Sequence, residues 1–82
     1  MLKNTDKLLN LLSEVFEVDT SDINDQTSPQ NMKTWDSFNT LKMIMMIENE
    51  FSIKLPLEDV VVIKSVKDIK NLLLKKGVAL NK

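Results

Sequence analysis

Apolar residues return every three or four positions in three separate stretches of this chain. Leu8, Leu9, Leu12, Val15 and Phe16 keep that spacing between positions 6 and 16, Leu41, Ile44, Ile47 and Phe51 keep it in the middle, and Val66, Ile69, Leu72 and Leu73 keep it near the end. A stripe of this period covers one face of an α-helix, whereas a half-buried strand alternates every second residue. Strand-to-strand turns would also need more turn chemistry than one Gly and two Pro supply. The chain is therefore expected to be all-α, with Thr5 or Asp6 capping a first helix that ends at Phe16 and a second helix running from about Ser37 to Phe51. Its 82 residues make one domain with a modest core, 1–82.

Between the first two stripes, positions 18–36 are polar and rich in turn formers, with Ile23, Met32 and Trp35 as apolar anchors. A connection this long inside a small domain carries function or contains a turn of its own. Asp19, Asp22 and Asp25 evoke a calcium loop, but the Gly and the terminal bidentate Glu of an EF-hand are missing at the required spacing, so no metal site is expected.

After Phe51, Ser52-Ile53-Lys54-Leu55-Pro56 reads as extended, since a residue before proline avoids the helical region and Pro56 suits a first helical turn. Val60-Val61-Val62-Ile63 taken alone reads as a strand, yet a lone strand has no partner elsewhere in the chain. Ser65-Val66-Lys67-Asp68 has the form of a capping box with Asp in place of Glu, opening a last helix that Gly77 stops after Lys75-Lys76.

Composition argues against catalysis. There is no His and no Cys, so the commonest general base near neutral pH and a native thiol nucleophile are both lacking. Ser37 has no activating base in view, because Lys42 lies more than one turn further along the same helix. No apolar run approaches the ~20 residues that cross a bilayer, and Leu2 near the start belongs to no such run, so a soluble, cytoplasmic protein is expected, and its size and charge lead to the expectation of a monomer. Charge is uneven: positions 1–36 carry a net of −4, 37–63 of −2 and 64–82 of +5. The basic end has no Arg and no interleaved aromatics to stack on bases, so it reads as a solvated helix face and not as a nucleic-acid surface.

Asp36-Ser37 stands where the second helix begins, and by itself reads as a capping pair. Its surroundings add more. Trp35-Asp36-Ser37-Phe38, then Asn39-Thr40-Leu41, Ile47-Glu48-Asn49-Glu50-Phe51, Ile53-Lys54-Leu55-Pro56 and Ile63-Lys64-Ser65-Val66 follow one another in an order that resembles the acyl carrier protein family from Trp35 to Ile69. The resemblance implies a four-helix bundle of three main helices and a short third one, here about Leu57 to Val62, with a long connection between the first two. It implies a 4'-phosphopantetheine arm on Ser37 within a motif that includes Asp36, delivered from coenzyme A by a phosphopantetheinyl transferase. Cargo would ride on the arm as a thioester, in fatty acid, polyketide-like or another dedicated biosynthesis, with a loading ligase or synthase and acyl-transfer enzymes as partners. Phe38, Leu41, Met45 and Glu48 would meet those partners. For Phe38 and Met45 the residues alone leave core and exposed positions open, and Leu41 also falls on the core stripe. Asp36 would repel a phosphate on Ser37, so it is expected to turn away and cap the helix or to meet the transferase and its metal.

The chain departs from the family pattern in four places. Lys42 and Asn49 stand where acids are frequent, Trp35 replaces a small residue and Phe38 replaces Leu, a pattern closer to free-standing carriers of dedicated pathways. Partner choice is accordingly expected to lean on shape and apolar contact more than on charge. Aminoacyl or peptidyl cargo is the alternative within the class. Outside it, the rival is an unmodified helical interaction module in which Ser37 is part of a cap and Phe38 with Met45 forms a docking patch.

Overall fold

The three stripes become the three long helices of a computed structural model that describes residues 3–80, leaving Leu2 and the basic Lys82 outside the described residues. Helix α1 spans Asn4–Phe16, α2 Ser37–Phe51, α3 Leu57–Val60 and α4 Val66–Lys75, with a single 3₁₀ turn at Thr20–Asp22. Among the described residues there is no strand, so the fold is the expected four-helix arrangement with one long connection.

The helices meet through Leu8, Leu12, Val15 and Phe16 of α1, Met43 and Ile47 of α2, and Val66, Ile69 and Leu73 of α4, all at most 2% exposed. Each large apolar side chain so buried contributes about 1.5–3 kcal/mol relative to exposure. Two stripe assignments shift. On α1, Leu11 is buried and Leu9 only packs against the core from its edge. On α2, the stripe centres on Met43 and Ile47, which leaves Leu41 about 140° round the axis. Leu41 is accordingly 66% exposed and is not a core residue.

Helix starts and stops also differ in detail. Neither Thr5 nor Asp6 caps α1: the cap position is Lys3, with no side-chain cap bond, and the helix begins at Asn4. Its start is tied by tertiary contact, because Asn4 Nδ2 donates to the Ala79 carbonyl at 2.7 Å. α3 is one turn, ending at Val60 and not Val62. Its exit tightens as Ile63 N–H donates to the Val60 carbonyl at 3.1 Å, and the β-branched run that follows favours leaving the helix. α4 ends at Lys75 with Gly77 at φ +89, a left-handed conformation that costs a glycine little, whereas Glu17 and Ser52 adopt it at the exits of α1 and α2 at φ 57 and 53.

The long connection is ordered by its own side chains. Thr27 Oγ accepts from Asn24 N–H at 2.9 Å, Asn24 Oδ1 from Gln26 N–H at 2.8 Å, and Asn31 Oδ1 from Ser28 N–H at 2.9 Å. Two of its carbonyls then receive the first amides of α4: Val66 N–H donates to Thr27 at 2.9 Å and Lys67 N–H to Asp25 at 3.1 Å. The loop is therefore held across the bundle by backbone bonds to the last helix.

Candidate functional site

Trp35 anchors the start of α2. Its indole is 4% exposed and stacks on Phe16 of α1, with ring centroids 5.0 Å apart and planes 25° apart. Asn39 Nδ2 adds a second tie by donating to the Thr34 carbonyl at 2.8 Å. The large residue immediately ahead of Asp36-Ser37 thus fixes where the helix begins.

Asp36 is the N-cap. Its backbone is extended and its Oδ1 accepts from Asn39 N–H at 2.8 Å, while its carbonyl accepts from both the amide and the hydroxyl of Thr40, at 2.8 and 2.7 Å. The carboxylate is turned into the helix start, as expected for a cap. A side-chain oxygen here relieves an amide that has no intrahelical acceptor, worth about 1 kcal/mol.

Ser37 is the first helical residue, exposed, and its hydroxyl makes no hydrogen bond among the described residues. The amides of Ser37 and Phe38 have no acceptor inside the helix and point to the positive end of its dipole. Other serines are differently placed. Ser13 Oγ bonds the Val18 carbonyl, Ser28 accepts from Gln30 N–H, Ser65 caps α4, and Ser52 sits in the left-handed exit of α2 at φ 53. Ser37 combines an open hydroxyl with the start of the longest helix.

A shallow open groove runs beside it, lined by Pro29, Trp35, Asp36, Thr40 and Leu41. On the flank of α2, Phe38 is 75% exposed and Met45 61%, so both lie outside the core, and with Leu41 they make an apolar strip. Leu57, Val61 and Val62, on and just after α3, are exposed as well. Glu48 is only half-exposed: its Oε2 accepts from Leu55 N–H at 2.8 Å and pins the turn after α2. Pro29 belongs to this site without any signal in the sequence, and Asn39 and Thr40 join it with roles that the resembling run Asn39-Thr40-Leu41 does not assign. A polar residue three places after Asp36 was the available signal for Asn39, since that is where capping patterns reach back.

Residues 6–73 match the family model described as the phosphopantetheine attachment site, and the chain belongs to that family. No curated protein matches it. Members carry 4'-phosphopantetheine covalently on a serine and act as carrier domains, generally non-catalytic, that interact with the enzymes attaching the arm and those using it. The residues at the start of α2 fit such a group: an unengaged primary hydroxyl, and helix-terminal amides without intrahelical acceptors for a phosphodiester. The arm, when bound, supplies a thiol for thioester chemistry that a chain without cysteine cannot provide. No described helix is long and apolar enough to cross a membrane.

Proposed function

We propose that Ser37 is the attachment point and that the protein carries acyl groups as thioesters on that arm for a dedicated biosynthetic pathway. The observation that supports this reading best is the exposed, unbonded Ser37 hydroxyl at the first turn of α2, held in place by the Asp36 cap and the Trp35 anchor. Attachment joins Ser37 Oγ to the pantetheine-side phosphorus of coenzyme A, breaks the diphosphate linkage and releases adenosine 3',5'-bisphosphate, while the serine proton passes to a base on the transferase. Asp36 acts through position: by capping α2 it sets the direction in which Ser37 leaves the helix.

Acyl cargo is preferred over aminoacyl cargo on Glu48-x-Glu50-Phe51 and Ile53-x-Leu55-Pro56, which resemble acyl carriers. Partner enzymes meet Phe38, Leu41 and Met45, an apolar strip with exposed Lys42 and Asn49 nearby and little negative charge. Glu48 contributes less than its position suggests, because one oxygen is engaged by Leu55. Such a strip suits recognition by shape and adaptable contact, with Met45 as its deformable element.

Intact mass tests the assignment. Purified protein incubated with coenzyme A, magnesium and a broad-specificity phosphopantetheinyl transferase should gain one arm, Ser37→Ala should gain none, and Ser37→Thr should lose most of the reaction. A gain in Ser37→Ala would move the arm to another serine. No gain in the wild type, with a transferase active on another carrier, would favour an interaction module docking through the Phe38 and Met45 strip.

A further inference from the structure

We propose that the phosphate-proximal part of the arm lies back along α2, in the groove lined by Pro29, Trp35 and Leu41, and not across the Phe38 and Met45 strip. This rests on the reading that Ser37 bears the arm. Leu41 follows Ser37 by four residues and so lies one turn along on the same face of the helix, whereas Phe38 leaves the axis about 100° away. The groove includes Ser37 itself in its wall, so a group tethered to that oxygen enters it without crossing open surface. Pro29, from the long connection, lines the groove together with Leu41 and the largely buried Trp35.

The chemistry of the two surfaces matches in order. After its phosphate and one methylene the arm carries a carbon bearing two methyl groups, then a hydroxyl, then an amide. The methyl pair meets Pro29 and Leu41, the apolar walls, and covers part of a leucine that otherwise stands 66% exposed. The hydroxyl and amide N–H are donors, and Asp36 offers an acceptor: only its Oδ1 is occupied, by Asn39 N–H, which leaves Oδ2 to accept beside the groove. Thr40 adds a hydroxyl whose proton is already committed to the Asp36 carbonyl, so it presents lone pairs to the groove. Both polar neighbours therefore accept, as the arm's donors require. Trp35 acts as a positioning residue in the lining of the groove.

The experiment is isotope-edited NMR on the arm-bearing protein, loaded from coenzyme A labelled with ¹³C in the two arm methyls, after intact mass has verified one arm on Ser37. Expected are cross-peaks from the arm methyls to Pro29, Leu41 and the Trp35 ring, with the methyl resonances displaced by the indole ring current from their positions in free coenzyme A. Leu41→Ala, a change at an exposed position that leaves the core untouched, should remove the side-chain cross-peaks at 41 and narrow the arm methyl lines. Cross-peaks to Phe38 or Met45 instead, or sharp methyl lines with no cross-peaks in the wild type, would overturn the groove assignment while leaving Ser37 as the attachment point. Absence of the arm from Ser37 in the mass measurement would overturn both.

Discussion

Helices α2 and α4 begin with the same two residue types and end up in opposite conditions. At α4 the start is closed: Ser65 Oγ takes Asp68 N–H, Asp68 Oδ2 takes Lys64 N–H at 2.8 Å, and the long connection takes the amides of Val66 and Lys67. At α2 the cap is Asp36, the serine follows it, and the hydroxyl and the first amides are left facing solvent. Swapping which residue caps decides whether the serine oxygen is consumed by the fold or left for chemistry. The two starts also differ in what holds them. Backbone and side-chain hydrogen bonds fix α4, while a buried aromatic immediately upstream fixes α2.

The largest effect should come from removing that aromatic. Trp35→Ala deletes a fully packed ring and its stack on Phe16, and should cost about 3–5 kcal/mol, a large share of the 5–15 kcal/mol typical of a folded domain. A denaturant midpoint measures it. Trp35→Phe should recover much of the loss, and a Trp35→Ala protein as stable as wild type would show that the α2 start is held by its hydrogen bonds after all.

Amide exchange separates the two starts directly. Val66 and Lys67 N–H, bonded to loop carbonyls, should exchange orders of magnitude more slowly than Ser37 and Phe38 N–H, which lack acceptors within their helix. Equal protection at all four would erase the distinction. Exchange at Ser37 and Phe38 that slows on attachment of the arm would show the phosphate meeting those amides.

The serines themselves should respond in reverse order for stability and for loading. Ser65→Ala removes a cap oxygen and should cost about 1 kcal/mol, with arm attachment unchanged. Ser37→Ala should change stability by less than about 0.5 kcal/mol, as exposed substitutions away from caps do, and abolish attachment. A chemical denaturation curve and an intact mass for each variant suffice, and a destabilised Ser37→Ala would mean that its hydroxyl serves the fold.

Much of this was legible in the chain. The α2 bounds, the α4 stripe, the Ser65 and Asp68 pair and the Gly77 stop follow from local chemistry that tertiary contacts reinforce. Leu41 was misread because a three-or-four spacing admits two neighbouring stripes on an apolar helix, and only packing chooses the one through Met43. The α1 cap was misplaced because Asn4 is held by Ala79, a partner 75 residues away that no local pattern announces. α3 stops at Val60, short of the Val62 that the resemblance implies, because its valines resist helix on their own. At the site, Asp36 and Ser37 could be read from the motif, whereas Pro29 reaches the groove only through the course of the long connection.

That course gives the smallest expected effect. Lys70 Nζ lies 2.7 Å from Asp25 Oδ1, joining α4 to the segment whose carbonyl already receives Lys67 N–H. Both side chains are partly exposed, 28% and 46%, so solvent and salt screen the pair and Lys70→Met should cost only about 0.2–1 kcal/mol. The difference between variant and wild type should shrink as salt rises towards 1 M, where the screening length falls to about 3 Å. If the ion pair only trims a loop already held by the Val66 and Lys67 bonds, the exchange rates of those two amides should stay nearly unchanged in Lys70→Met. A large acceleration would instead mean that the charge pair holds the loop in register, and that the closed start of α4 depends on electrostatics as well as on its hydrogen bonds.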